Sequence, residues 1–525
     1  MHNLLDYLEY SAQCHPEKIA FADEKESITF AALVKLGRSI GTAIINRTAG
    51  ITNKPVAVVT DHRAADIAAF VGVLYAGCFY VPLDGTAPGE YLETRINSIN
   101  PVMTINARNI SELPCAGRDN AAQANAGRDN TTQANTGQVN AGHNITSEQD
   151  GPDFDTVGLV RVRRSVLSTD PAYAIFTSGS TGVSKAAVVS HGAVVNLAEW
   201  LTDTFGFNED TIFGGQCPFY FDASVKEIYS GLKNACTVWL IPKKLFMFPM
   251  KVMQYVQDHN VNVLPWAVSA MKIVANSDVL ERIAPSGIEH VIFGGENMPA
   301  KILNIWKNAM PLSSFTNVYG PSEITVDCSY YTVDRDFDDW ESIPIGGPTR
   351  NAQLLLLDED GTPVSDGEPG EIYVRGAGVG LGYLLDDERT SAAFMQNPLN
   401  RAYRDIVYRT GDIARRNEYD ELVFLSRADY QVKHMGSRIE LGEIETAAAG
   451  LEGVALACCI YDKDEGRILL FYEGTACEDV IIRLMRERLP RYMQPAAAIK
   501  LAVMPSTPNG KIDRLQVRED FFGGL

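Results

Sequence analysis

A loop able to hold phosphate is the sharpest local signal in the chain. Tyr173-Ala174-Ile175-Phe176 reads as a strand and runs into Thr177-Ser178-Gly179-Ser180-Thr181-Gly182-Val183-Ser184-Lys185. Glycines let the backbone turn tightly and present several N–H groups to phosphate oxygens. The hydroxyls add donors, and Lys185 adds a positive charge. The spacing Gly-x-x-Gly-x-x-Lys is not that of the Walker loop, which places four residues between its glycines and a hydroxyl residue after lysine. A plain Ser/Gly turn is the competing interpretation. From Thr177 to Lys185, however, every residue except Val183 and Lys185 is Gly, Ser or Thr, and the run follows a strand directly. That density favours phosphate binding.

Six further segments follow in order: Phe221-Asp222-Ala223-Ser224-Val225, Asn317-Val318-Tyr319-Gly320-Pro321-Ser322-Glu323, Tyr408-Arg409-Thr410-Gly411-Asp412, Gln431-Val432-Lys433, Arg438-Ile439-Glu440-Leu441-Gly442-Glu443-Ile444-Glu445 and Asn509-Gly510-Lys511-Ile512-Asp513-Arg514. Together with the phosphate loop they span about two-thirds of the chain. The set resembles the core motifs of the adenylate-forming superfamily: amino-acid adenylation domains of nonribosomal peptide synthesis, acyl-CoA ligases and luciferases. The last two segments look most like the amino-acid branch. The implied fold is α/β, with a large multi-sheet N-terminal domain and a small mobile α+β C-terminal domain.

The implied reaction is attack of a carboxylate on the α-phosphate of ATP, giving an acyl-adenylate and pyrophosphate. A thiol then takes the acyl group. Positioning and electrostatics dominate such chemistry. By resemblance, Thr177, Ser178, Gly179, Ser180, Thr181, Gly182 and Lys185 hold the phosphates, with Thr181 and Lys185 taking part in catalysis. Ser184 and Ala186 stand where the family usually has Pro and Gly, and neither change removes a donor. Tyr319 is expected to stack on adenine and Asn317 to bond its edge; Gly320, Ser322, Gly295 and Glu296 complete the nucleotide set. Glu323 is expected to help hold Mg²⁺, a hard cation suited to carboxylates and phosphate oxygens. Asp412 and Arg427 are expected at the ribose, and Lys511 to bridge carboxylate and phosphate during adenylation. Without the resemblance, Tyr319 and Asp412 read as turn residues and Lys511 as an exposed turn lysine. Asp429 occupies the hinge position, and the swing brings the Lys433 to Gly436 loop to the site for thiol transfer. His434-Met435 precedes Gly436, where the family often has Arg.

The acyl pocket carried over by motif comprises Phe221, Asp222, Ala223, Lys226, Val263, Ile292, Gly294, Val318, Val326 and Asp327. Asp222 would pair with a substrate α-ammonium, a residue that acyl-CoA ligases generally lack. Lys226 in a mostly apolar pocket needs an anionic partner, because an unpaired buried charge is costly. That partner is either a substrate side-chain carboxylate or Asp327. The first choice implies an acidic substrate, glutamate foremost; the second implies a small neutral one such as alanine or serine.

The elements that must position these groups alternate between helical and strand patterns, an α/β signature. Helices are expected at Tyr7 to Ala12, Ala31 to Ile45, Ile67 to Tyr75, Ala193 to Thr204, Phe248 to His259 and Pro299 to Asn308. Strands are expected at Ile28 to Phe30, Val56 to Thr60, Phe79 to Val81, Thr237 to Ile241, Asn262 to Leu264, His290 to Phe293, Leu354 to Leu357 and Gly370 to Val374. The N-terminal domain is assigned to 1–427 and the C-terminal one to 428–525. The latter reads strand, helix, strand, strand, helix, strand, with helices at Glu443 to Ala449 and Asp479 to Leu489. A low-complexity insertion is assigned to about 106–158. It holds a tandem ten-residue repeat, Ala116-Gly117-Arg118-Asp119-Asn120-Ala121-Ala122-Gln123-Ala124-Asn125 and its copy from Ala126, too poor in large apolar side chains to offset ordering entropy. A surface insertion is expected there; partner binding is the weaker alternative.

The 525 residues carry 46 Lys+Arg and 66 Asp+Glu, a net charge of −20, which argues against nucleic-acid binding. Nine scattered cysteines without a C-x-x-C support neither a zinc framework nor a disulfide scaffold. No secretory leader and no membrane span is legible, so a cytoplasmic enzyme is expected. With no carrier-domain or thioesterase motif visible, the expected activity is that of a freestanding ligase using ATP and Mg²⁺. It would load an amino acid onto the phosphopantetheine thiol of a separate carrier protein. The layout also resembles D-alanine–carrier ligases. An acyl- or aryl-CoA ligase and a non-catalytic descendant are the rival interpretations.

Overall fold

Ala64–Tyr75 carries apolar residues on every face, and a helix of that kind must be buried all round. In the computed structural model, which describes residues 3–106, 154–177, 184–283, 285–339, 341–427, 431–435, 437–505 and 512–522, it is: Ala64 and Asp66 through Tyr75 are all buried. The helix turns at 76–78 into the buried strand Phe79–Asp84. Among the described residues no helix is long and apolar enough to cross a membrane.

Asp66 is the polar exception in this helix. One carboxylate oxygen accepts from the Asp61 and Arg63 N–H groups at 3.0 and 2.9 Å. Burial outweighs these donors and pushes the carboxyl up to about 7. Its folded pKa therefore lies above the unfolded value of about 3.9, so the group's contribution to stability is full at low pH and fades as pH rises through 7. His62 and His191 are held neutral by burial, down to about 4, and act with the opposite sign over part of the same window. Comparing Asp66→Asn with wild type isolates the carboxyl. Urea unfolding between pH 4 and 8 is expected to show a stability profile that falls less with pH in the variant.

The strand expected at Ile28 to Phe30 ends one residue early. The Thr29 hydroxyl accepts from the Ala32 N–H at 3.2 Å, which caps the helix Phe30–Thr48 and draws Phe30 into it. A similar cap opens the helix Thr156–Ser165, where Asp155 accepts from the Gly158 N–H at 3.0 Å. Helix thus begins inside the 106–158 stretch assigned to the insertion, before the renewed apolar pattern at Val160. The repeat itself lies outside the described residues.

Two large sheets carry the N-terminal region. The first has nine strands, and its central six (Ser314–Tyr319, His290–Gly294, Val263–Ala267, Ile212–Gly215, Thr237–Leu240 and Ile19–Ala22) are mutually parallel. The second has six strands, with Pro171–Thr177 antiparallel to Lys185–Ser190. A third sheet contains Ala352–Leu357, Gly370–Gly376, Ile406–Arg416 and Leu422–Arg427. Functional loops in open parallel sheets gather at the carboxyl ends of strands, which here are Ala267, Gly294 and Tyr319.

The C-terminal segment opens with a hairpin, Gln431–His434 and Ser437–Glu440, rather than one strand. The helix Leu441–Ala449, strands Val454–Asp462 and Arg467–Gly474, helix Glu478–Arg488 and strand Ala497–Leu501 follow. A closing helix, Arg514–Phe522, is absent from the sequence expectation because it buries only Val517 and so lacks an apolar stripe. It is anchored instead by charge: Arg514 donates to both oxygens of Glu445 at 2.5 and 2.6 Å, and Glu445 also accepts from the Cys459 N–H. Arg514→Ala leaves Glu445 short of its cation. The variant is expected to lose about 1–3 kcal/mol in urea unfolding.

Candidate active site

The six-stranded sheet carries both flanks of the loop expected to hold phosphate. Strand pairing places Thr177 opposite Lys185, and the buried Thr177 hydroxyl donates to the Lys185 carbonyl at 3.4 Å. Ser178, Gly179, Ser180, Thr181 and Gly182, between these two strands, lie outside the described residues. The Lys185 ammonium donates to the Tyr383 hydroxyl at 2.6 Å, lies 4.2 Å from the centre of its ring, and stands 3.4 Å from a Glu323 oxygen. Tyr383 in turn donates to Glu323 at 2.8 Å. Glu323 is fully buried in the single turn Ser322–Ile324. A buried carboxylate that already faces a cation has the donor chemistry a hard divalent ion needs, so Glu323 fits the Mg²⁺ expectation.

The strand Ser314–Tyr319 carries Asn317 and Tyr319, the residues expected at the adenine. The Tyr319 hydroxyl donates to Asp412 at 2.5 Å, and Asn317 donates to the Pro344 carbonyl at 2.8 Å. Burial, with the Asp412 charge beside it, raises the Tyr319 phenol well above its ordinary pKa. Asp412 pairs in register with Arg427 on the next strand. Gly320 is required by packing: a Cβ there would meet the Val326 carbonyl at 2.3 Å. The chain then bends through Thr325 and Val326, both with positive φ. For a β-branched residue such as Val326 this conformation costs about 1–3 kcal/mol, strain held at the pocket wall.

Several residues expected at the acyl group lie on neighbouring strands of the parallel sheet. Gly294 pairs with Val318, and a Cβ on Gly294 would meet the Val318 carbonyl at 2.4 Å. Ile292, Val318 and Val326 pack in the same core cluster. Val263 shares that cluster but sits at the start of its strand, paired with His290. Pro265 and Ala267 are the residues beside Ile292 and Gly294. The helix Ser224–Asn234, which follows Phe221 to Ala223, brings Lys226 to Asp327. Its ammonium donates to one Asp327 oxygen at 3.4 Å and stands 3.4 Å from the other, which has no hydrogen bond among the described residues. Burial raises the Asp327 carboxyl, and Lys226 opposes that. Asp222 retains accessible surface as a residue, yet the protein packed around its carboxyl raises its pKa; a Ser322 hydrogen bond and Lys226 work against the rise. Ser322, expected at the nucleotide, is close enough to Asp222 to oppose that rise.

Three residues here carry no motif signal. Tyr383 lies between Lys185 and Glu323. Arg95 donates to the Ser184 hydroxyl at 3.0 Å and covers the Phe176 ring. Tyr173 is fully buried with a hydroxyl that has no partner among the described residues, and the charges of Asp222 and Asp327 help raise its pKa. The periodicity of Tyr173-Ala174-Ile175 gave it a purely structural reading.

The C-terminal segment reaches this site. Tyr492 packs against Phe221 and Tyr220, with ring centres 5.6 and 6.5 Å away, and the Tyr91 hydroxyl donates to the Met493 sulfur at 3.5 Å. Glu296, paired with Lys272 at 3.4 Å, is close enough for its charge to act on His434 and Tyr461. Gly295 precedes it with φ +86°. Lys511, Asp429 and Gly436 lie outside the described residues.

Comparison with known proteins agrees with this architecture. The crystal structure of IdnL1 superposes with a TM-score of 0.76 at 26% identity, over 96% of this chain and 99% of its own. A D-alanine--D-alanyl carrier protein ligase of Bacillus licheniformis is 30% identical over 98% of this chain and 99% of its own length. A plipastatin synthase of Bacillus subtilis is 30% identical over 96% of this chain, which spans only 19% of that larger protein. The model of the family described as AMP-binding enzyme matches residues 8–384, and the chain belongs to that family.

Proposed function

We propose that the protein is an ATP-dependent, AMP-forming amino acid–carrier protein ligase with an acidic substrate, glutamate foremost. The observation that carries the reading is the 3.4 Å contact between the buried Glu323 and Lys185, with Asp222 close enough to Glu323 for their charges to act on one another; it supports an ammonium partner beside a phosphate and metal site. Asp222 holds the α-ammonium, and the substrate carboxylate attacks the α-phosphate of ATP, releasing pyrophosphate. Lys185 and the loop from Thr177 hold the departing phosphates, Thr181 among them. Asp412, Arg427, Tyr319, Asn317, Gly320, Gly295 and Glu296 hold the nucleoside, and Lys511 bridges the reacting groups. Glu323 would hold Mg²⁺, which would supply positive charge to the phosphate oxygens. The acyl group then passes to the phosphopantetheine thiol of a separate carrier protein, after movement about Asp429 that presents Gly436 and its loop. The unit boundary is placed at 427/428. Buried Cys217, Cys236, Cys458 and Cys459, in no disulfide, suit a reducing compartment, so the enzyme is assigned to the cytoplasm.

Acidic specificity is supported by Lys226 and by the partnerless Tyr173 hydroxyl, both suited to a substrate carboxylate. The 3.4 Å contact between Lys226 and Asp327 favours a second reading, a small neutral amino acid of the kind the carrier ligase relative uses. Loading of labelled glutamate and alanine onto a phosphopantetheinylated carrier, with coenzyme A as the alternative acceptor, tests both. Carrier-bound glutamate is expected. Carrier-bound alanine alone selects the second reading, and transfer to coenzyme A alone contradicts the carrier-ligase assignment.

A further inference from the structure

We infer that Tyr383 is a positioning residue that fixes the Glu323 carboxylate for a divalent cation and the Lys185 ammonium for phosphate; this rests on the metal reading of Glu323 proposed above. Its hydroxyl sits between the two, accepting from Lys185 at 2.6 Å and donating to Glu323 at 2.8 Å. A fully buried carboxylate has no water to orient it, so a phenol of fixed position decides where its oxygens point. Tyr383 is well fixed. It is 5% exposed, its N–H donates to the Thr390 hydroxyl at 2.9 Å, and its ring meets Phe394 edge-on at 5.5 Å.

The backbone ties the same three places together. Tyr383 pairs with Ala187, two residues after Lys185. The Gly380 N–H donates to the Glu323 carbonyl at 2.8 Å, and the Leu381 N–H to the Val188 carbonyl at 2.8 Å. One short segment, 380–383, therefore holds both the turn that carries Glu323 and the strand that leaves the phosphate loop. When Lys185 turns to phosphate, Glu323 loses part of its contact with that cation; the Tyr383 O–H remains to hold it oriented.

The test is Mn²⁺ binding, followed by electron paramagnetic resonance, to enzyme saturated with a non-hydrolysable ATP analogue. Tyr383→Phe is expected to weaken Mn²⁺ binding about tenfold and to raise by a similar factor the Mg²⁺ concentration needed for half-maximal exchange, with the amino-acid KM little changed. Para-aminophenylalanine at position 383 restores a donor and is expected to return Mn²⁺ affinity towards wild type. That variant carries the comparison if the phenylalanine variant fails to fold. Unchanged affinity in Tyr383→Phe, or no recovery with the amino group, overturns the role. If Glu323→Gln weakens Mn²⁺ binding and Tyr383→Phe does not, only this inference fails. If Glu323→Gln leaves it unchanged, the metal reading itself fails and this inference with it.

Discussion

Asp222→Asn is expected to lower kcat/KM for amino-acid-dependent ATP–pyrophosphate exchange by about 10²- to 10³-fold, while ATP affinity changes little. Breaking a desolvated ion pair by removing one partner costs about 3–5 kcal/mol, and each 1.4 kcal/mol is tenfold. Here the uncompensated partner is the substrate ammonium. Asparagine keeps the volume and a side-chain acceptor oxygen, so the fold survives and the loss is electrostatic. The carboxyl's pKa is raised by burial, so its ionised form has little reserve. Exchange is therefore expected to fall on the acid side at a higher pH than an ordinary aspartate would impose. Steady-state exchange from pH 5 to 8, with the ATP dissociation constant measured separately, checks both statements. Equal activity in the variant removes Asp222 from substrate binding.

Lys226→Ala is expected to act on stability and selectivity together. In the free enzyme it strands Asp327, whose side chain is 3% exposed. A stranded buried charge costs about 3–5 kcal/mol, part of which Asp327 recovers by taking up a proton. Its folded pKa, already raised, rises further, so the variant is expected to lose stability most as pH climbs through and above that pKa. Lys226→Met combined with Asp327→Leu is expected to recover much of the stability, because a buried pair replaced by apolar residues is often neutral. Selectivity separates the two readings of the pocket. Under the acidic reading, exchange with glutamate falls at least a hundredfold in Lys226→Met/Asp327→Leu. Under the neutral reading, exchange with alanine persists. Urea unfolding at two pH values and exchange with both amino acids make the comparison.

The fold was legible where local pattern and tertiary environment agree. Ile67 to Tyr75 and Phe79 to Val81 are apolar and buried throughout, so an unbroken apolar run located them. Arg514–Phe522 was illegible because a 2.5 Å ion pair to Glu445, distant in sequence, holds it in place of an apolar face. Phe30 was misplaced by one residue because the Thr29 cap outweighs the strand propensity of an aromatic. At the site, motifs marked Lys185, Glu323, Tyr319, Asp412 and Asp222 as candidates, and the structure brings Lys185 to Glu323 and Tyr319 to Asp412. Motifs could not mark Tyr383 or Tyr173. Each reads locally as an ordinary strand tyrosine, and only tertiary placement of its hydroxyl distinguishes it. Which strand residue stands beside Ile292 depends on register between strands, which spacing along one strand does not contain; Pro265 pairs with it and Val263 with His290.

The central claim is amino-acid activation at this site, and amino-acid-dependent ATP–pyrophosphate exchange across all proteinogenic and D-amino acids measures it most directly. The account predicts strong Mg²⁺-dependent exchange with one amino acid, glutamate foremost, lost in Asp222→Asn. Exchange with no amino acid, or exchange that Asp222→Asn leaves intact, would contradict it.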